Sequence, residues 1–383
     1  MLAAALSAGV VCVAAWVYLL LAHGRFWRIP LTPHASPSSA GDGRAVAVVI
    51  PARNEADVIG RAINSLLRQN CDKLHVFVVD DNSTDGTAAA ARAAAASQPQ
   101  RVTVISGRPL PPGWTGKLWA VQQGVEQALL LHPDFLLFTD ADIEHAPDDV
   151  ATLVGVAEAG GYDLASFMVK LQCRSLPEKL LVPAFVCFFF MLYPPEWIRN
   201  VRRRAAGAAG GCLLIRAAAL ERIGGIAAIR HEIIDDCALA RAVKRSGGKV
   251  WLGAARDTYS IRPYTSFAQI ERMIARNAFN QLRHSAWLLM GALLGILLMY
   301  VLPLALLASG SARLAIAGAA AYLLMTAAYL PMVRFYGLNL LWALSLPLAA
   351  VFFAAATLDS AVKYWRRRGG EWKGRAQDLR GDK

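Results

Sequence analysis

The chain has 383 residues, is 56% hydrophobic and carries a formal net charge of +12, a length that admits one large or two ordinary domains. Its basic residues sit beside apolar segments and not in an aromatic-interleaved groove, which excludes a nucleic-acid surface and points to anionic lipid. The cysteines (Cys12, Cys71, Cys173, Cys187, Cys212, Cys237) show no Cys-x-x-Cys pair, which excludes a metal finger or a disulfide framework and fits reduced thiols in a cytoplasmic domain.

Leu2 to Ala22 is almost wholly apolar, too long for the core of a cleaved signal and without basic residues before it, so residues 1–24 read as a retained membrane anchor. Arg25 and Arg28 follow and place the next region in the cytoplasm by the positive-inside rule. Residues 25–44 contain "PLTPHASPSSAGDGR", the Pro, Ser and Gly content of a linker.

From 45 to 284 short apolar runs alternate with helical patterns. Strands are expected at Ala45–Ile50, Leu74–Asp80, Arg101–Ser106 and Asp134–Asp140, with helices from about Glu55, Gly86 and Thr115 and one after Pro147. This alternation predicts an α/β fold with a mostly parallel sheet flanked by helices, its ligand at the carboxyl ends of the strands. "LLVPAFVCFFFMLYPP" (Leu180 to Pro195) breaks the rhythm. It is too short for a comfortable span and reads as a membrane-surface element, a lipid-facing groove or a buried core helix. Arg202 to Arg204 follow as a headgroup-facing or simply solvated basic run.

Residues 285–360 hold three apolar stretches long enough to cross a bilayer, Ala286–Ala308, Leu314–Val333 and Leu338–Leu358. The basic tail, 361–383, belongs in the cytoplasm by its charge. Three crossings from a cytoplasmic domain would put it outside, so one stretch, the one containing Pro347, is expected to be re-entrant or interfacial.

Polar clusters follow the strands. "PARNEA" (Pro51 to Ala56) offers polar groups at a strand end, with Asn54 as a helix cap the plainer account. In "VVDDNSTDGT", Asp80 and Asp81 end a strand where a carboxylate can accept hydrogen bonds from a ribose or a base, while Ser83 or Asp85 caps the next helix. In "PPGWTGKLWAVQQG", Lys117 offers a cation for phosphate at a helix start. Asp140 and Asp142, in "FLLFTDADIEH", fall on one face if the segment is extended. They then suit a hard divalent cation, or else one caps a turn and the other is solvated. Asp235 and Asp236 open an amphipathic helix, as a general base or as partners of the helix dipole. Gln269 and Arg272 share a helix face, and Arg272 reads as a diphosphate contact or a solvated interfacial charge. Ala205 to Cys212, "AAGAAGGC", permits close approach of an acceptor or tight turn packing.

Taken in order, these motifs resemble the inverting family 2 glycosyltransferases of GT-A fold over about Val46 to Leu282. The resemblance implies a nucleotide-sugar site in which Pro51, Arg53, Glu55, Asp80, Asp81, Lys117, Asp140, Gln269 and Arg272 bind the donor. It further implies that Asp142 and Asp140 hold Mg²⁺ or Mn²⁺, and that Asp236, beside Asp235, is the catalytic base. Two departures stand out: the Glu-Asp pair reads Asp235–Asp236, and Met273 replaces the Trp of Gln-x-x-Arg-Trp, which argues against a processive polymerase. The anchor, "LPPGWTGKLWA", "LLVPAFVCFFFMLYP", "IIDDCALARAVKRSGG" and the closing "GGEWKGR" are similar to the bacterial hopene-associated glycosyltransferases.

The expectation is therefore a multi-pass enzyme of the bacterial inner membrane with its catalytic domain in the cytoplasm. It would move a hexose from a UDP-sugar to a hydroxyl of a hopanoid or other isoprenoid lipid. The rivals are a polyprenyl phosphate, glycerolipid or ceramide-like acceptor, and an inactive nucleotide-sugar sensor or scaffold. A transporter needs more spans than these, with polar residues inside them.

Overall fold

Every residue of Val46–Ala52 is buried, as a strand covered by helices on both faces must be. It is β1 in a computed structural model of the protein that describes residues 2–32 and 43–366. The middle of the expected linker and the tail beyond Arg366, with its "GGEWKGR", lie outside the described residues. The chain divides into two compact units. One holds the sheet (30–172 and 197–263), the other the apolar helices (residues to Ile29, 173–196, and from Tyr264 on).

In the first unit β1 is joined by β2 (Leu74–Asp80), β3 (Val102–Ser106), β4 (Phe135–Thr139), β5 (Ile143–Glu144), β6 (Leu164–Lys170), β7 (Cys212–Arg216) and β8 (Val250–Ser260). The sheet order is β3-β2-β1-β4-β7-β6-β8-β5. Strands β1 to β4 run parallel, with Val46 opposite Leu74 and Phe135, as their alternation with helices predicts. The later half is mixed, because β7 is antiparallel to both β4 and β6 and β5 to β8. The linker reading also shortens: Leu31 bridges to Ala254, and Ala254 N–H donates to Pro30 O at 2.9 Å, so the chain is already tied to β8 before residue 33.

Helix Gly116–Ala128 lies close on β1 and β2 through a glycine. A Cβ at Gly124 would stand 2.4 Å from Val49 Cγ1 and 3.1 Å from Val79 Cγ2. That packing fixes the start of the helix, and so Lys117, at the carboxyl ends of the strands.

In the second unit, five helices among the described residues are long and apolar enough to cross a membrane: Leu2–Leu21, Leu176–Arg199, Ala286–Leu307, Ala312–Phe335 and Leu340–Trp365. Small residues let three of them pack tightly. A Cβ at Gly318 would come 2.6 Å from Pro303 O, and one at Gly9 would meet Leu306 and Ala317 at 2.9 and 3.1 Å. Trp16 Nε1 donates to Met299 O at 3.1 Å. Ala286–Leu307 and Ala312–Phe335 thus form an antiparallel hairpin, with Leu2–Leu21 running antiparallel to its first arm.

The other two helices pack against each other through aromatic side chains. Leu176–Arg199 starts in a Ser175–Glu178 capping box and sets Phe188 edge-on to Phe353 with ring centroids 5.1 Å apart. The end of Leu340–Trp365 returns to the residues that precede Ala286. Phe279 N–H donates to Ser360 Oγ at 3.1 Å, Lys363 pairs with Glu271 at 3.2 Å, and His284 stacks on Tyr364 at 4.0 Å. The segment containing Pro347 therefore ends beside the residues that precede Ala286.

Candidate active site

The loops after β1 and β2 are laced together. Asn54 N–H donates to Ser83 Oγ at 3.0 Å, Thr84 N–H to Asn54 Oδ1 at 2.9 Å, Glu55 N–H to Thr87 Oγ1 at 2.8 Å and Ala56 N–H to Asp85 Oδ2 at 3.0 Å. Asn54, with φ of 53°, is therefore a loop-to-loop tie and not a helix cap. The following helix begins at Ile59, later than about Glu55. The next helix has Gly86 at its N-cap, in the left-handed region, and Asp85 just before it accepts from Thr87 N–H at 3.0 Å.

Within this ledge Arg53 donates to Asp81 O at 2.5 Å and lies 3.6 Å from the carboxylate of Asp81, which is fully buried. Asp80 stays partly exposed at the end of β2, accepting from Ser83 N–H at 3.3 Å. Pro51 lines a small cavity together with Lys117, Thr139, Asp140, Asp235 and Asp236.

Residues Asp140 to Asp142 form a turn after β4, with Ile143 N–H donating to Asp140 O at 3.3 Å. The extended geometry expected to put both carboxylates on one face is absent, because the chain must reverse here to bring β5 against β8. The two carboxylates consequently take different cations. Asp140 Oδ1 is 3.0 Å from Lys117 Nζ, and Asp142 Oδ2 is 3.2 Å from Arg262 Nε. Arg262 also pairs with the buried Glu55, and Ser260 Oγ lies 3.5 Å from Asp142 Oδ2.

Lys117 reaches further, to Asp235 Oδ2 at 3.1 Å, and so joins the turn after β4 to the start of helix Asp235–Arg245. Burial works against its charge, but Asp140 and Asp235 hold its pKa above the ordinary lysine value. Asp236, next in the chain, has its pKa pushed up to about 6 by burial and then by the Asp235 charge, against Lys117 and two backbone N–H groups. One of these is Cys237 N–H at 2.6 Å; the other belongs to Gly210, where a Cβ would stand 3.3 Å from Asp236 Oδ2. The close approach permitted by "AAGAAGGC" thus serves this carboxylate.

Behind the turn lies a buried polar network. Thr139 Oγ1 donates to Gly211 O at 2.8 Å and meets His145 Nε2 at 2.9 Å. His145 Nδ1 faces Asp149 at 3.3 Å, and Asp149 accepts from Thr258. The network ties β4, β7 and β8 together beneath Asp140 and Asp142. Gln269 and Arg272 belong to the other unit, where Gln269 Oε1 accepts from Thr265 N–H at 2.7 Å and Arg272 Nε donates to Ala268 O at 3.2 Å.

Sequence reasoning missed Arg262, His145 and Thr139. Arg262 carried a readable signal only in lying just past a strand, the position of the other clusters, and β8 was not among the expected strands. As for a metal, no group of three or more His, Cys, Asp or Glu ligands occurs among the described residues. Asp140 and Asp142 nevertheless fit a hard cation by chemistry, being anionic oxygen donors with side chains 39% and 18% exposed.

The Glycosyl transferase family 2 model matches residues 47–224. An uncharacterized protein of Methanocaldococcus jannaschii is 30% identical over 135 residues, which cover 34% of this chain and 51% of that one. The 4,4'-diaponeurosporenoate glycosyltransferase of Staphylococcus aureus is 34% identical over 119 residues, 31% of this chain and 29% of that one. The chain thus spans about half the length of the first relative and less than a third of the second. Among solved structures, the mannosyltransferase PcManGT from Pyrobaculum calidifontis, in complex with GDP-Man and Mn²⁺, superposes with a TM-score of 0.55 at 19% identity, over 95% of this chain and 99% of that one. The chain thus has a GT-A fold, and its residues 47–224 match the glycosyl transferase family 2 model.

Proposed function

We propose that the protein is a membrane-bound inverting glycosyltransferase that moves a sugar from a UDP-sugar to the hydroxyl of an isoprenoid or other lipid. The observation that carries this reading is the Lys117 bridge, which holds Asp140 and Asp235 within 3.1 Å of one ammonium, next to an Asp236 whose pKa stands near 6. A carboxylate so raised is a better proton acceptor close to neutral pH than an ordinary aspartate.

Asp236 takes the proton of the acceptor hydroxyl as its oxygen bonds to the anomeric carbon and the bond to the diphosphate breaks on the opposite face. Lys117 sets positive charge where the leaving diphosphate gains negative charge. Asp140 and Asp142 would hold a divalent cation, Mg²⁺ or Mn²⁺, which supplies Lewis-acid stabilisation to that group. The ledge of Arg53, Glu55, Asp80 and Asp81 serves the nucleoside in this reading. A lipid acceptor is supported by the membrane helices and by the activity named for the S. aureus relative. The sheet unit faces the cytoplasm of a bacterial inner membrane, on the side of Arg25 and Arg28.

The test is product mass after incubation of the full chain in nanodiscs with UDP- or GDP-sugars, Mg²⁺ or Mn²⁺, and extracted isoprenoid, polyprenyl-phosphate or glycerolipid fractions. A hexose added to an isoprenoid from a UDP-sugar is the expected product. Donor binding without transfer to any lipid would leave the sensor reading in its place.

A further inference from the structure

The guanidinium of Arg262 contacts Glu55 with Nη2 and Asp142 with Nε, the latter at 3.2 Å. Its side chain is 30% exposed, Asp142 is 18% exposed and Glu55 10%. Arg262 is therefore the most exposed of the three charged groups and pairs with both carboxylates without being buried itself. The charges alone account for the arrangement: Glu55 lies under the first loop ledge and Asp142 in the turn after β4, and without Arg262 two carboxylates would share a half-buried recess. Both backbones are anchored, Glu55 by its N–H bond to Thr87 Oγ1 at 2.8 Å and Asp142 by its carbonyl, which accepts from Ile261 N–H at 2.8 Å. The two differ in exposure: the Asp142 carboxylate, with Ser260 Oγ at 3.5 Å, is the more open to an incoming ion.

We propose that Arg262 is an exchangeable cation for the metal seat. It neutralises Asp142 before a divalent ion arrives, releases that carboxylate when the ion binds, and stays tethered beside the site by Glu55. Such a residue lowers the negative charge of the empty site and makes ion binding a competition between Arg262 and the divalent ion for one carboxylate. No bond to carbon or proton transfer is involved, only the exchange of one cation for another on Asp142.

The inference rests on the reading of Asp140 and Asp142 as cation ligands, and its test needs no turnover. Mn²⁺ binding to the full chain in detergent, followed by electron paramagnetic resonance, is compared for the native protein, Arg262→Gln, Arg262→Met and Asp142→Asn. Removing Arg262 is expected to tighten Mn²⁺ binding about tenfold, since the competing charge is gone, while Asp142→Asn loses it. Equal or weaker binding in the Arg262 variants overturns the proposal. The native chain supplies a measurement independent of variant folding: phenylglyoxal labelling of Arg262, read by mass spectrometry, should rise severalfold with saturating Mn²⁺. Unchanged or reduced labelling also overturns it. If both readouts behave as expected and no sugar is transferred, the cation exchange stands and the proposed function falls. If transfer is normal and Mn²⁺ binding is insensitive to Arg262, the function stands and the cation exchange falls.

Discussion

Lys117 Nζ lies 3.0 Å from Asp140 Oδ1, so one ammonium fixes the turn after β4 relative to a helix start that is distant in the chain. Through Asp235 at 3.1 Å it also sets the field at Asp236, whose pKa it pulls down. Lys117→Met should therefore move the acid limb of the kcat/KM profile above its native position near pH 6 and lower turnover by about two orders of magnitude. A pH–rate profile with an unmoved acid limb would show that Lys117 does not govern the base.

Asp236 offers a linked prediction on stability. Its folded pKa, about 6, lies above the ordinary aspartate value of 3.8, so between these values the folded state binds more protons than the unfolded one. Stability falls as pH rises through that window, and at pH 8 the ionised carboxylate costs on the order of 1–3 kcal/mol. Asp236→Asn should raise the melting temperature by a few degrees at pH 8, gain nothing at pH 4, and abolish transfer. Thermal melts at the two pH values decide it.

The network behind the turn predicts a pattern among substitutions at Thr139. Thr139→Ser keeps the hydroxyl that links Gly211 O and His145 and should leave transfer close to native. Thr139→Val keeps the volume but strands both partners, at about 1–3 kcal/mol. Denaturant or thermal unfolding of the two variants side by side would reveal whether the hydroxyl or merely its volume matters.

Gly210→Ala places a methyl group 3.3 Å from Asp236 Oδ2. Displacing the base by a few tenths of an ångström should lower kcat about tenfold while donor KM stays within twofold. Steady-state kinetics with varied donor would separate this from a loss of donor binding.

The membrane unit predicts a labelling pattern. Single cysteines at Ser309, between the two arms of the hairpin, should react with a membrane-impermeant maleimide from the side opposite to cysteines at Asn339 and Arg366. Opposite accessibility of Asn339 and Arg366 would make Leu340–Trp365 a crossing helix and void the re-entrant course expected for the segment containing Pro347.

Much of this was legible in the amino-acid order. β1 and β4, buried along their whole length, appear as continuous apolar runs, β3 at the sheet edge is only partly buried, and polar clusters follow the strand ends. What stayed hidden depends on partners far apart in the chain. Nothing local to "TDAD" says that it turns, because the turn is imposed by β5 pairing with β8. Nothing in "IRPY" says that Arg262 meets Glu55, because that meeting follows from the sheet order. Local pattern also gave Asn54 a cap, whereas its amide ties to Thr84 across two loops.

The place of β7 bears on how the chain comes to be folded. In the sheet it stands between β4 and β6, yet it is synthesised after both and after the apolar helix Leu176–Leu192. Until Cys212–Arg216 emerges, β4 and β6 each present an unpaired edge, the kind of edge that invites aggregation. A hydrophobic segment that seeks the bilayer is therefore made before the sheet can close. Docking at the membrane during synthesis would hold these edges apart from other chains until the central strand arrives to join them.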